Sequence, residues 1–364
     1  MPLSSSNSSQ ATRTNLPRSL RLIRSIFIFS AILGTGIFAI VHFTPSHNSA
    51  LVATTTTTTT IPPPPTTTIP PPPWSPISKG LYSFTSYQTT LSEPGTKLCV
   101  EVDGSQSCGP RQLQLGIYYP VLAKNPNVVP YRGINPLPLV LFAPGYLQYY
   151  SDYSVLLDSL VNAGYVVIGM NFPLNDPSSV GGPDENDILN NPKDMSSVIS
   201  WALDENQSPA SPLYKLINPN EIVATGQSDG GETALALSYN SCCISDHLAA
   251  TVIFSSAELS TFPGTYFPAG QDLPLLVIQG TSDPINPQSL SQQIYTSAPP
   301  PKYYLSLIGA DHLVAYQTSS DYERVVASVT SGFIHAYVLK QSSYLALMTT
   351  SGNVAGVSQL TGDP

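Results

Sequence analysis

Charge is scarce in this chain: Asp, Glu, Lys and Arg make up 10% of its 364 residues, and only 14 Lys and Arg stand against 23 Asp and Glu. With a net charge of −9, no basic stripe and no run of like charge after residue 79, nucleic acid is not an expected partner. Cysteine is rare as well. The four cysteines, Cys99, Cys108, Cys242 and Cys243, lack the spacing of a zinc site, so no metal is expected. Four cysteines allow three connectivities. Cys99 and Cys108 flank "VEVDGSQS", a hairpin turn, and are expected to pair in an oxidising exterior. Cys242 and Cys243 are adjacent, where a bridge is strained, and burial as small apolar side chains competes with a second bridge there.

Proline is abundant, at 36 residues, and is concentrated near the amino terminus. Residues 54 to 73 read "TTTTTTTIPPPPTTTIPPPP", a near-repeat whose prolines fix φ and remove donors while its threonines offer little surface for a core. Segment 44–76 is therefore expected to be a Thr/Pro-rich disordered linker open to O-linked sugar, in which residues 54–73 form a semi-rigid, extended spacer about 60 Å long if fully polyproline-like. Ahead of it, "SIFIFSAILGTGIFAIVHF", residues 25–43, is long enough for a bilayer core. Arg13, Arg18, Arg21 and Arg24 lie on its amino side only, which predicts a cytoplasmic segment 1–24, a signal-anchor at 25–43 and the remainder outside the cell. A cleaved signal peptide, and hence secretion, is the competing expectation. Against it, the apolar run exceeds a usual h-region and no small-x-small site follows closely.

Residues 77–345 are expected to form one domain and residues 346–364 a C-terminal tail. The domain opens with strand-like pieces, "LYSFTSYQTTL", "TKLCVEV" and "RQLQLGIYYPV". After these the rhythm changes to unbroken apolar runs alternating with helical spacing: "PLPLVLFAPG", "YSDYSVLLDSLVNAG", "YVVIGMN", "PKDMSSVISWALDEN" and "EIVAT". Strands buried on both faces read as such runs, so the expected class is α/β: a mainly parallel sheet, helices on both faces and antiparallel strands at the N-terminal edge.

Gly226-Gln227-Ser228-Asp229-Gly230 fits G-x-S-x-G between a strand and a helix, where the two glycines of the elbow let the turn pack and expose the serine. The pattern also suits an ordinary turn serine. A nucleophile needs a base and a group to orient that base, following the serine in chain order in this arrangement. "LSLIGADHLVAY" places His312 directly after a strand, whereas His335 lies inside the last helix and His247 precedes any suitable acid. "LPLLVIQGTSDPINP" presents Asp283 just past a strand, with capping of the following helix as the alternative role. Asp311 is adjacent to His312 and is poorly directed to orient it. The oxyanion site needs preorganised amides, expected from Asp229 and, in the "PGYLQ" loop, Tyr146. Tyr146, Tyr149, Tyr150 and Phe172 are expected either to line an acyl cleft or to pack beneath the loops.

From about residue 80 to 345 the chain resembles an α/β-hydrolase, and within that superfamily it is similar to the platelet-activating-factor acetylhydrolase, cutinase and polyester-hydrolase branch. The segments that carry the likeness are "LGIYYPV", "LVLFAPGYLQYYSDYSVLLDSLVNAGYVVIGMNFP", "NNPKDMSSVISWAL", "ATGQSDGGETAL", "LLVIQGTSDPINP" and "IGADHL". The resemblance implies a triad of Ser228, Asp283 and His312, oxyanion donors at Tyr146 and Asp229, and no cofactor. Its departures are Gln227 where His or Trp is common, Asp229 where Met or Phe is usual, and Pro144 where His is frequent. The activity implied is hydrolysis of lipid, acetyl or polyester-type esters. Acyl transfer at the cell envelope and a catalytically silent surface binding protein are the alternatives.

Overall fold

The computed structural model describes residues 82–122 and 136–364, apart from the side chains of residues 82, 94, 95 and 122. The expected basic segment, signal-anchor and Thr/Pro spacer lie outside these residues. Among the described residues no helix is long and apolar enough to cross a membrane.

Two long strands come first, β1 (Tyr82–Val102) and β2 (Ser105–Leu122), paired antiparallel through a two-residue turn. Asp103 and Gly104 both have positive φ there, 51° and 74°, the geometry that matches strand twist and favours an Asp-Gly pair. The first two expected strand pieces are one strand, with a register shift between Glu93 and Lys97. Cys99 and Cys108 face each other across the ladder and are bridged. Cys242 and Cys243 are bridged too, with Cys242 exposed, so the burial alternative does not hold for this pair.

The parallel strands follow: β3 (Leu137–Ala143), β4 (Val166–Asn171), β5 (Ile217–Gln227), β6 (Leu248–Phe254), β7 (Leu275–Gly280) and β8 (Lys302–Leu307). A last strand, β9 (Ser358–Asp363), runs antiparallel to β8. The sheet order is β1-β2-β4-β3-β5-β6-β7-β8-β9. The fold is thus α/β with a mostly parallel central sheet, as its apolar runs require.

Alternate strand residues feed two cores. Val140 and Phe142 pack with α1 (Ser154–Asn162), α5 (Val314–Gln317), α6 (Asp321–Tyr337) and α7 (Tyr344–Gly352) on one face. Leu139 and Leu141 pack with α2 (Asn191–Gln207), α3 (Asp229–Tyr239) and α4 (Gln288–Ser297) on the other. Every residue of α3 is buried, which fixes the helix that starts beside Ser228. At α6, the Ser320 side chain accepts from the amide of Glu323 at 3.2 Å, an N-cap worth about 1 kcal/mol.

The carboxyl-terminal residues depart from expectation. Residues 346–364 are not a tail: they carry most of α7 and all of β9, which adds an antiparallel strand at the second edge. Arg111 of β2 is buried, and its guanidinium meets Asp187 at 2.7 Å and Asp194 at 2.5 Å. This pair of contacts ties the segment after β4 and the start of α2 to the hairpin.

Candidate active site

Ser228 sits between β5 and α3 with φ 53° and ψ −123°. An L-residue in that sparsely populated region costs on the order of 1–3 kcal/mol and persists only where the surroundings enforce it. Here the surroundings are backbone. A Cβ on Gly226 would run into Gly230, and a Cβ on Gly230 would run into the carbonyls of Ala143 and Pro144. The Ser228 amide donates to Phe254 O at 2.9 Å, and its carbonyl accepts from Glu232 N at 2.9 Å. These bonds hold the turn from both sides.

The residue before it explains one of the departures in the motif. Gln227 is fully buried; its Oε1 accepts from the Tyr153 hydroxyl at 2.7 Å and its Nε2 donates to the His312 carbonyl at 3.0 Å. One amide therefore connects the loop bearing His312 to the strand end bearing Ser228. The Tyr153 hydroxyl in turn accepts from the Gly145 amide at 3.3 Å. A Cβ built on Gly145 would stand 2.5 Å from Gln227 Oε1 and 3.2 Å from Cβ of Ser228, so the "PGYLQ" loop reaches Ser228 only because residue 145 has no side chain.

Asp283 and His312 meet as expected. Nδ1 of His312 lies 2.7 Å from Oδ2 of Asp283, both residues being buried. The other oxygen, Oδ1, accepts from the amides of Ile285 and Asn286 at 2.9 Å each. Asp283 thus braces its own turn rather than capping α4, whose N-cap is Pro287. Burial by itself would raise the Asp283 carboxyl, yet hydrogen bonds from His312 and from the Asn286 and Ile285 amides win and hold it below the usual carboxylate range. Gln279, which sequence reasoning did not single out, donates its Nε2 to Oδ2 at 3.0 Å. Asp311 accepts from the amides of Leu313 and Val314, and so begins α5 rather than orienting His312.

The loop after β3 is braced as well: Leu147 N donates to Asn175 O at 2.7 Å and Asn175 Nδ2 donates to Gly145 O at 3.0 Å. This is the stretch that carries Tyr146. Asp229, the first residue of α3, is buried, and its carboxyl is pushed up to about 7 by burial and by the charge of Glu185, against a bond from its own amide. Burial, Asp229 and Glu185 push the Glu232 carboxyl up as well.

The aromatic residues separate. Phe172 and Tyr150 are buried, Tyr150 with its ring against Gly116 of β2 and Gly169 of β4, whereas Tyr146 and Tyr149 are half-buried. His335 is packed inside α6, stacked on Tyr344 at 4.2 Å between ring centres, and His247 is an exposed loop residue. Two open hollows of about 410 and 270 Å³ share Thr90, Gln114 and Asn171 beside the hairpin, and neither is lined by Ser228, Asp283 or His312. Among the described residues no cluster of His, Cys, Asp and Glu is arranged to hold a metal. No family model matches the chain, and no curated protein does.

Proposed function

We propose that the chain is a serine hydrolase of the α/β-hydrolase fold that cleaves carboxylic esters of lipid, acetyl or polyester type, tethered outside the cell by its N-terminal anchor. The observation that carries this reading is the Asp283–His312 pair, 2.7 Å apart, whose histidine carbonyl is bonded to Gln227, the residue preceding the strained Ser228. In this reading Ser228 Oγ attacks the ester carbonyl and its proton passes to Nε2 of His312. Asp283 fixes the tautomer with Nδ1–H and stabilises the imidazolium. The amides of Asp229 and Tyr146 receive the oxyanion. His312 then protonates the leaving alcohol, and a water deprotonated by the same imidazole releases the acid and frees Ser228. The disulfides fit an oxidising exterior.

A fluorophosphonate probe tests the proposal. The full-length chain is expected to label at Ser228 and to hydrolyse nitrophenyl esters, and Ser228→Ala is expected to do neither. Equal labelling of Ser228→Ala, or none of the wild type, removes the reading in favour of a silent binding protein. Product analysis with an added alcohol separates hydrolysis from acyl transfer.

A further inference from the structure

Three strands line up a row of polar side chains at the N-terminal edge of the sheet. Thr90 of β1 pairs with Gln114 of β2, and Gln114 pairs with Asn171 of β4, so the three project from one face at the usual strand spacing of about 4.8 Å. Both hollows beside the hairpin are lined by all three. The row is held in place by Tyr150, whose amide donates to Asn171 Oδ1 at 2.9 Å and whose hydroxyl accepts from Gln88 Nε2 at 2.9 Å. Asn171, only 5% exposed, directs its Nδ2 to Gln114 Oε1 at 3.4 Å. Gln114 Nε2 and the hydroxyls of Thr90, Ser107 and Ser151, which also line the hollows, have no hydrogen-bond partner among the described residues.

The chemistry of this lining is selective. No Lys, Arg or His reaches either hollow. The one carboxylate, Asp176, is buried, and its Oδ1 already accepts from the amide and hydroxyl of Ser178 at 2.8 and 2.6 Å. An anion would shed water there without gaining a counter-charge, and an apolar ligand would leave the amide and hydroxyls unpaired. Peptides that bind a sheet use an unpaired strand edge, whereas β2 and β4 are paired on both sides. An uncharged ligand dense in hydroxyls, each both donor and acceptor, matches what is offered, and Leu98, Val100 and Pro173 supply apolar surface for the C–H faces of its rings.

We infer that the two hollows form one binding site for an uncharged oligosaccharide. Asn171 ends β4, two strands from the end of β5 that bears Ser228, which is roughly 10 Å at the usual spacing. A few sugar rings span that distance. On the hydrolase reading, therefore, the ester opened at Ser228 is one carried by the bound sugar.

The test is titration calorimetry on the full-length Ser228→Ala chain. The probes are neutral oligosaccharides of glucose, galactose, mannose, xylose and N-acetylglucosamine, an oligogalacturonate charged at every ring, and a blocked oligoglycine. At least one neutral sugar is expected to saturate with a Kd below about 1 mM, and the other two probes to bind about tenfold more weakly or not at all. Thr90→Trp, which sets an indole in both hollows, is expected to abolish binding, and Gln114→Ala to weaken it about tenfold. Both positions are exposed, and an unchanged thermal midpoint marks the variants as folded. The site is overturned if no neutral sugar saturates, if folded Thr90→Trp or Gln114→Ala binds as before, or if oligogalacturonate or oligoglycine binds more tightly. The substrate assignment is read separately from wild-type kcat/KM on acetyl esters of the bound sugar, which is expected to rise with the number of rings; a flat series removes it. Fluorophosphonate labelling reports on Ser228 alone, so a chain that labels but binds no sugar loses the site and keeps the hydrolase.

Discussion

Gln227 joins three chain segments with one side chain, accepting from Tyr153 and donating to the carbonyl of His312. Replacing it with Ala strands two buried polar groups at once, for about 2–5 kcal/mol, and frees the loop that carries His312. We expect Gln227→Ala to lower the thermal midpoint and to reduce kcat more than it raises KM, measured by calorimetry and steady-state kinetics. The pairing of Asp283 with His312 was legible because each residue directly follows an apolar strand and so has to emerge at the same end of a parallel sheet. The partners Gln227, Gln279 and Tyr153 were not. A buried glutamine reads as an ordinary polar residue until its neighbours in space are known, and the sequence marks Gln227 only as a departure from a familiar pattern.

At the level of elements, the central strands announced themselves because a strand covered on both faces has no polar alternation to hide its length. β9 stayed hidden for the opposite reason. "SQLTGD" offers little apolar surface, and its place comes from the unpaired edge of β8 rather than from its own pattern. Arg111 was equally silent, since a lone arginine in a strand looks solvent-facing until Asp187 and Asp194 close around it. One guanidinium serves two carboxylates. Burial pushes Asp194 up to about 6, with Arg111 holding it down and Glu93 and Asp187 adding to the rise. Arg111 itself is opposed by burial and raised by its bonds to both aspartates. Arg111→Met leaves these carboxylates without a counter-charge, and we expect it to cost about 3–5 kcal/mol in denaturant unfolding.

For the whole molecule, buried carboxyls that prefer their protons set a pH dependence of stability. Asp229 rises from 3.8 to about 7 on folding, a difference of roughly 4 kcal/mol at most. Its sign follows from proton counting. Between those two values the unfolded chain holds fewer protons than the folded one, so stability falls as pH rises through that window and levels off above it. Glu232 and Asp194 act in the same direction, while Asp283, held low, adds stability above the ordinary carboxylate range and loses it as pH falls through its folded value. We expect a higher thermal midpoint at pH 5 than at pH 8, and a flatter profile for Asp229→Asn. The presence of Asp229 beside the serine was visible in the motif; its burial and its exposed neighbour Glu185, about forty residues upstream in a polar loop, were not.

The hairpin of β1 and β2 has one more implication. β2 pairs with β4 from Gln114, opposite Asn171 at the carboxyl end of β4, to Tyr118, so the ladder from Ser105 to Leu113 stands above the rim at which Ser228 lies. Cross-linked through Cys99 and Cys108 and leaning on Gly181 through Val100, that ribbon is a fence along one flank. If Ser228 acts on esters as proposed, a long, stiff substrate is expected to enter from the side away from this ribbon.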